Sequence, residues 1–380
     1  MLRIKNVQCF LIMCFVALLL QAFAGRACAD CTFEVLPSAG LHINCKDDVD
    51  QMIIGTEQTD IIEFWPSAKL NYQEVNISIG SSQTMVTGIN SLGADDEVIN
   101  NGIIESLLAQ AEAEASGISL TIDGSFDSDT TGALVSDTSV TADAVAVGID
   151  GGSGNDEIDN QSVISTEAVA IDEATDVTVN INVAADGAVI GSDLSDASVT
   201  VNAAAKGIDG GQDVDTIDNL GNIYLSVDSV ATGVAVSLDI AGTMQGNAEG
   251  SSVSDASVTA VSTTLGTEGG EGNDTIISDG AVISMATDAS ATAVSVGLAV
   301  SGSMEGNVAG EALSDGSATA DALATGIDGG TGQDIIDNWS SIYGDVNASA
   351  KTVAVGLDVA ISIDEGGDAS GGALSDASVT

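Results

Sequence analysis

The chain has 380 residues, with 57 Asp and Glu against 7 Lys and Arg, and a formal net charge of −50. Such a charge repels nucleic acid and anionic lipid and attracts cations, so it excludes a nucleic-acid-binding protein. Apolar residues make up 44% of the chain, which is too large a share for an acidic disordered chain and predicts an ordered core.

Residues 1–29 have the features of a secretory signal peptide. Arg3 and Lys5 form a basic start, and an apolar run follows over residues 10–20, too short to span a bilayer comfortably. Cleavage after Ala29 leaves Cys31 and Cys45 as the cysteines of the mature chain. We therefore predict a bacterial protein that is secreted or held at the cell surface, with a Cys31–Cys45 disulfide. The mature sequence contains no stretch long and apolar enough to predict a transmembrane helix.

Residues 30–87 differ from the rest of the chain. They contain the cysteine pair, both prolines and the single histidine, His42. A repeat stack needs an atypical terminal unit to cover its first apolar edge, so we interpret this region as an N-terminal cap. Within it, residues 53–62 already resemble the opening of a β array.

Residues 88–380 contain about five repeats of about 60 residues. One phrase, GIDGGSGNDEI in its fullest form, marks the start of each unit, and a second phrase, SDASVT or a close variant, keeps the same spacing. A fixed long period of this kind predicts a repeat architecture in which each unit buries its apolar face on its neighbours. The first phrase begins at Gly88, Gly148, Gly207, Gly266 and Gly326, and the second begins at Ser136, Ser195, Ser254, Ser314 and Ser375. The copy at Gly88 has lost most of its glycines, and we call it the worn copy.

Each unit has three stretches in which Val and Ile alternate with polar residues, a period that indicates strands. In one unit they are residues 157–164, 177–183 and 198–208. A Gly/Ser/Asp/Glu-rich loop, such as residues 241–254, is predicted between the second and third stretches. The SDASVT phrase is interpreted as a turn that leads into a strand. Residues 104–114 could form a short helix, but their alignment with later strands favours a strand.

The predicted fold is all-β: a right-handed parallel β-solenoid with an N-terminal cap. The alternative is an array of small antiparallel β units. A solenoid could place three rungs of about 20 residues in each unit, or it could use the whole unit as one large rung. The last unit stops at Thr380, partway through the SDASVT phrase, so we expect a truncated array.

The Gly-rich turns carry the most specific chemistry. Glycine permits positive φ and brings carbonyl oxygens close together, and aspartate adds a carboxylate. Such hard oxygen ligands suit Ca²⁺, so we predict calcium at these turns. The alternative is that the turns are purely structural. The candidate ligands are Asp150, Gly152, Gly154, Asp156, Asp209, Gly211, Asp213, Asp215, Gly270, Gly272, Asp274, Asp328, Gly330, Gly332 and Asp334.

These turns resemble the RTX, or haemolysin-type, calcium-binding repeats, and the long alternating strands are similar to the passenger domains of bacterial adhesins and autotransporters. The resemblance implies glycine carbonyls and carboxylates such as Asp156, Asp274 and Asp334 as Ca²⁺ ligands. It covers only about ten residues of each unit. RTX nonapeptides follow one another directly, whereas the copies here are about 50 residues apart. The aspartates would stack at about 4.8 Å only if each unit were one rung.

The mature chain contains no arginine and one histidine, so basic catalytic residues are scarce. We predict an exported, non-enzymatic structural or adhesive protein in the form of a stiff rod. Its expected partners are divalent cations, glycans of a host, neighbouring cell or matrix, and further copies of itself. The alternatives are a β-helix enzyme acting on polysaccharide and a self-associating coat protein without specific metal sites.

Overall fold

The computed structural model describes residues 31–36, 41–45, 49, 51–56, 58, 60–65, 69–70, 72–363 and 366–380. The predicted signal peptide, residues 1–29, lies outside the described residues. Within these ranges all regular structure is β-strand. The same ranges contain no helix long and apolar enough to cross a lipid bilayer.

One repeat forms one complete coil of a parallel β-solenoid. Ile164 pairs with Ile223, 59 residues later, and Ile223 pairs with Ile283, 60 residues later. Each coil runs outward along one sheet, which we call sheet A, and returns along a second, sheet B. A glycine- and aspartate-rich turn, residues 151–156 in one coil, then leads into the next coil, and we call it the Gly/Asp turn. The predicted parallel solenoid is therefore confirmed, and of the two rung sizes the larger is correct.

The strands are numbered in chain order. The N-terminal segment contains β1 (Cys31–Val35), β2 (Leu41–Cys45) and β3 (Ile53–Thr56). The first coil contains β4 (Ile61–Phe64), β5 (Lys69–Leu70), β6 (Gln73–Ile79) and β7 (Ser81–Leu92). The second contains β8 (Glu97–Asn100), β9 (Ile103–Ser125), β10 (Thr130–Asp137) and β11 (Val140–Asp150). The third contains β12 (Glu157–Asn160), β13 (Ile164–Asp186), β14 (Val189–Asp196) and β15 (Val199–Asp209).

The later coils have fewer and longer strands. The fourth contains β16 (Thr216–Asn219), β17 (Ile223–Gln245) and β18 (Ala248–Glu268). The fifth contains β19 (Thr275–Glu305) and β20 (Val308–Asp328), and the sixth contains β21 (Ile335–Ser362) and β22 (Ala369–Val379).

The N-terminal segment starts the stack. Strands β1 and β2 form an antiparallel hairpin joined by the predicted Cys31–Cys45 disulfide. Strand β2 pairs in parallel with β4, so the hairpin extends sheet A. The first coil is short: it turns back at Gly80, and Ile61 pairs with Glu97 only 36 residues later. Parallel pairing therefore begins within the residues that we interpreted as the cap.

The coils are wide and the stack is low. Strand β13 has 23 residues, which at about 3.3 Å per residue span about 75 Å. Six coils spaced about 4.8 Å apart reach only about 29 Å along the axis. The described part of the chain is therefore a broad two-layered slab.

The interior has an apolar half and a polar half. Near the Gly/Asp turn the inward side chains are aliphatic, and Ile149, Ile158, Ile164 and Ile208 are fully buried. Nearer the opposite turn they are polar. In this second half, sheet A places its polar residues inside and its apolar residues outside. The fully buried polar side chains here include Asp176, Thr178, Asn180, Asn182, Ser195, Ser237 and Asp239.

One local prediction was wrong, whereas residues 104–114 lie in strand β9, as their alignment with later strands favoured. The loop predicted over residues 241–254 is a turn of two residues, 246–247, because β17 and β18 continue to either side of it. Some of its small polar residues, such as Ser252 and Ser254, point into the polar interior and are not part of a loop. The SDASVT phrase belongs to sheet B. It spans a two-residue break between strands in the second and third coils and lies within the continuous strands β18 and β20 in the fourth and fifth. Its first serine points inward, as shown by the 2.9 Å hydrogen bond from Ser195 Oγ to Asp176 Oδ2.

Buried asparagines form a ladder along the stack at the corner after the Gly/Asp turn. Asn100 Nδ2 donates to Asn160 Oδ1, and Asn160 Nδ2 donates to Asn219 Oδ1, both at 2.7 Å. Asn219 in turn donates to Ser278 Oγ at 3.3 Å. All three asparagines are fully buried. Each amide therefore donates to the next coil and ties consecutive coils together, while Oδ1 of Asn100, at the start of the ladder, has no partner.

We expect Asn160→Leu to lower the free energy of unfolding by about 2–3 kcal/mol, because it leaves two buried amide groups without a partner. Asn160→Ser is the matched control, since serine already occupies the equivalent position at Ser278. It should cost clearly less. Urea unfolding followed by circular dichroism measures both variants, and equal losses would contradict the ladder.

Candidate functional site

The Gly/Asp turn has the same backbone in every full coil. Gly152 and Gly154 have φ of 88° and 129°, in the left-handed region that favours glycine. Leu92 and Ala94 occupy the equivalent positions in the worn copy with φ of 73° and 77°. Hydrogen bonds between coils hold the turn, such as Gln212 N–H to Gly152 O at 2.9 Å. The glycines are therefore explained first by backbone shape.

The candidate ligands separate onto two sides of this turn. Asp156, Asp215 and Asp274 point inward and are buried. Asp150, Asp209 and Asp328 form an outer row, one residue per coil. Asp213 is exposed, with φ of 78° at a position that is glycine in the other full copies. The structure thus stacks the predicted residues along the axis and does not gather them around one point.

The inward aspartates form a continuous column. The backbone N–H of Asp96 donates to Asp156 Oδ1, that of Asp156 to Asp215 Oδ1, and that of Asp215 to Asp274 Oδ1, each at 2.8 Å. The column begins at Asp60 and ends at Asp334. In each case Oδ1 has a partner. The second oxygen, Oδ2, is buried without a partner in Asp96, Asp156, Asp215 and Asp274.

Burial favours the neutral form of these carboxyl groups. Loss of solvation, with a smaller contribution from neighbouring aspartates, raises the pKa of Asp156 to about 8. The same causes raise the pKa of Asp96 and of Asp215 to about 7, against the opposing effect of the backbone hydrogen bond. Asp156 is therefore mostly protonated near neutral pH, and Asp96 and Asp215 are close to half protonated.

The column does not offer Ca²⁺ a full set of ligands. Calcium takes six to eight oxygens, and each coil supplies one unpartnered carboxylate oxygen here. The first glycine of each turn packs directly on that oxygen: a Cβ on Gly210 would lie 2.8 Å from Asp215 Oδ2. Among the residues that the structure describes, no three His, Cys, Asp or Glu side chains form a metal-binding group. The side chains of the column alone therefore leave most of a Ca²⁺ coordination shell unfilled.

The outer row suits a cation better. Asp150, Asp209, Glu268 and Asp328 occupy the same register position in successive coils. An ion midway between oxygens about 4.8 Å apart would lie about 2.4 Å from each, which is a Ca²⁺–oxygen distance. This row is partly exposed, so water can complete the coordination. Lys206 already binds it, with Nζ 2.7 Å from Asp209 and 2.6 Å from Glu268.

Sequence reasoning treated Asp196 and Asp255 singly, as minor candidates for ligands, and missed that they belong to a second acidic row on the outer face of sheet B. It contains the aspartate of every SDASVT phrase, and rows of serine and threonine lie beside it. Burial, followed by the charges of Asp196 and Asp315, raises the pKa of Asp255. The constant spacing of the phrase could have revealed the row, had it been read as a strand. Its members are Asp137, Asp196, Asp255, Asp315 and Asp376.

A third acidic group, also missed, lies in the polar half of the interior. Asp193 and Asp239 are fully buried, and Oδ1 of each has no partner. Burial raises the pKa of Asp193 to about 6 and that of Asp239 to about 7. Gly191 lies against Asp239, where a Cβ would overlap the carboxylate. The sequence alternates polar and apolar residues here, and that pattern alone does not show which of the two sets faces the interior. The burial of Asp193 and Asp239 could therefore not be predicted.

Comparison with family models, with curated proteins and with solved structures gave no match. The RTX-like resemblance of the turns therefore stays a resemblance of the sequence. His42 lies in the N-terminal segment, where its Nε2 is 3.1 Å from Glu63 Oε2.

Proposed function

We propose that this chain is an exported, non-enzymatic structural or adhesive protein whose ordered rows of carboxylates bind divalent cations, Ca²⁺ above all. One observation carries the proposal: each repeat is one coil in constant register, so an acidic residue that recurs in the sequence becomes a straight row on the surface. Five aspartates in one row on sheet B are the clearest case.

The charge of the chain supports cation binding. Excluding residues 1–29, the chain has 57 acidic residues and 4 lysines, and 4 minus 57 gives −53. Stacked carboxylates about 4.8 Å apart repel one another, and the repulsion grows as more of them ionise. Bound divalent ions reduce this repulsion, so the folded stack should take them up. Calcium at the Gly/Asp turns is part of this proposal, with the outer row of Asp150, Asp209, Glu268 and Asp328 as its place.

We expect millimolar Ca²⁺ to raise the melting temperature by about 10 °C over the same protein in EGTA, because the ions bind the folded rows and not the unfolded chain. Circular dichroism at 218 nm, where strands absorb, follows the transition. Sodium chloride at the same ionic strength controls for general screening. Magnesium tests selectivity, since Mg²⁺ demands shorter and more regular coordination.

Variants locate the ions. Asp150→Asn removes charge from the outer row and keeps both ion pairs of Lys206, and it should bind less Ca²⁺ in calorimetry. The matched control is Asp215→Asn in the buried column, which should bind as much Ca²⁺ as the unchanged chain. If Ca²⁺ stabilises no more than sodium chloride does, the cation part of the proposal is wrong. If only Asp215→Asn loses Ca²⁺, the ions bind inside the turns.

A further inference from the structure

The outer face of sheet A carries a large apolar surface on this very acidic chain. In the half of each coil that lies away from the Gly/Asp turn, three neighbouring rows consist wholly of Ile, Leu and Val, one residue per coil over five coils. We call this surface the aliphatic face. Its rows are Ile118, Val177, Val236, Val296 and Val355; Leu120, Val179, Leu238, Leu298 and Leu357; and Ile122, Ile181, Ile240, Val300 and Val359.

The aliphatic face continues into a shallow apolar groove. Glycines form part of its floor, and larger apolar side chains stand beside them, giving a volume of about 710 Å³. These side chains are solvent-exposed, Phe126 by 85% and Met244 by 56%. The groove is lined by Phe126, Val183, Met244, Met304 and Ile363, among others.

Charged residues lie only around this surface. Glu173 and Lys351 belong to the row on the side of the Gly/Asp turn, and Asp186 and Glu305 lie at the opposite turn. The rows between them contain no charged residue. A contiguous apolar patch of this size on a soluble protein marks an interaction surface.

Further coils of the same solenoid cannot cover this face. Coils add along the axis by strand pairing, and the aliphatic face lies perpendicular to that direction. Each added coil would therefore lengthen the rows. The inward side chains behind the face are polar. The apolar side of these strands therefore faces away from the interior, where only another molecule can bury it.

We propose that the aliphatic face binds the same face of a second copy of this chain, forming a face-to-face dimer. The three rows of the aliphatic face and the two rows of the adjoining groove, about 6.7 Å apart over five coils at about 4.8 Å, together give an area of about 24 by 33 Å, or about 800 Å². That is the area that each partner contributes to a standard stable interface. These rows contain no charged residue, so two copies related by a twofold axis meet without opposing charges, and their acidic rows on sheet B point away from each other.

Analytical ultracentrifugation of the purified exported chain tests the proposal. We expect a dimer at micromolar concentration in physiological salt. Leu238 lies at the centre of the face and points outward, so Leu238→Lys should weaken dimerisation at least 100-fold, because it buries an unpaired charge in the interface. Thr259→Lys is the matched control, since it adds the same charge in the same coil on the outer face of sheet B. It should leave the dimer intact.

Three outcomes decide the question. A dimer that Leu238→Lys dissociates and Thr259→Lys does not supports the proposal, and unchanged circular dichroism shows that the variants fold. A chain that is monomeric at 100 µM, or a dimer that tolerates Leu238→Lys, overturns it. Flotation of a monomeric chain with phosphatidylcholine vesicles also overturns it and assigns the face to a neutral membrane surface. Should Leu238→Lys fail to fold, Leu238→Ser provides the same comparison without a charge.

Discussion

In metal-free buffer, the protein is expected to become less stable as the pH rises from about 4 to about 9, the reverse of ordinary acid denaturation. The reason is the buried column of aspartates at the Gly/Asp turns. The pKa of Asp156 is raised to about 8, and the pKa of Asp96 and of Asp215 to about 7. In the unfolded chain the same groups titrate near 3.9.

The direction follows from proton linkage. A carboxyl group whose pKa is higher in the folded state binds protons more tightly there, so its stabilising effect is complete below pH 3.9 and is lost as the pH rises through the folded pKa. Each pKa unit corresponds to about 1.4 kcal/mol. After allowance for solvent screening we expect Asp156 alone to account for about 2–4 kcal/mol between pH 4 and 9. Loss of several protons together should lower the melting temperature by more than 10 °C.

Asp156→Asn tests the cause. The amide cannot ionise, so the melting temperature of this variant should depend less on pH and exceed that of the unchanged chain at pH 9. Asp127→Asn, at an exposed turn, is the control and should follow the unchanged chain. A melting temperature that rises between pH 5 and pH 8 in EGTA would falsify the protonated column.

Gly270→Ala is expected to cost more than 3 kcal/mol in the free energy of unfolding. Gly270 has φ of 102°, and a Cβ at this residue would overlap the carbonyl oxygen of Gly211 in the preceding coil. The change therefore combines an unfavourable backbone conformation with a clash against backbone, which cannot move aside without breaking the stack.

Gly280→Ala separates these two effects. Gly280 also has positive φ, 69°, but no atom lies within 4 Å of where its Cβ would be. It should cost only about 1 kcal/mol, the price of the backbone conformation. Chemical denaturation of the two variants measures the difference, and similar costs would mean that close stacking of the turns contributes little.

The repeats predicted much of the fold. Alternation of Val and Ile indicated strands, and the constant phrases indicated a stack, because identical residues in identical positions can pair in register. The size of a rung could not be derived, since three short rungs and one long rung have the same period. Only the pairing of Ile164 with Ile223 settles it.

The candidate site was predicted less well, for a related reason. The sequence placed glycine and aspartate at a turn but could not show that Asp156 points inward while Asp150 lies on the outside. Both have an acidic side chain, and the difference depends on how the turn stacks on its neighbours. The aliphatic face was hidden in the same way, because a strand with polar and apolar sides does not reveal which side is internal.

The corner after the Gly/Asp turn also shows how the stack accommodates an extra residue. In β19 the register shifts between Asp279 and Val282, where the fifth coil has one residue more than its neighbours, and pairing resumes unchanged at Ile283. Gly280 there projects into open space. Coil length can therefore vary at this corner without disturbing the rows. A peptide tag or fluorescent label inserted at this point should leave the protein folded and provide a handle for imaging the assembled array.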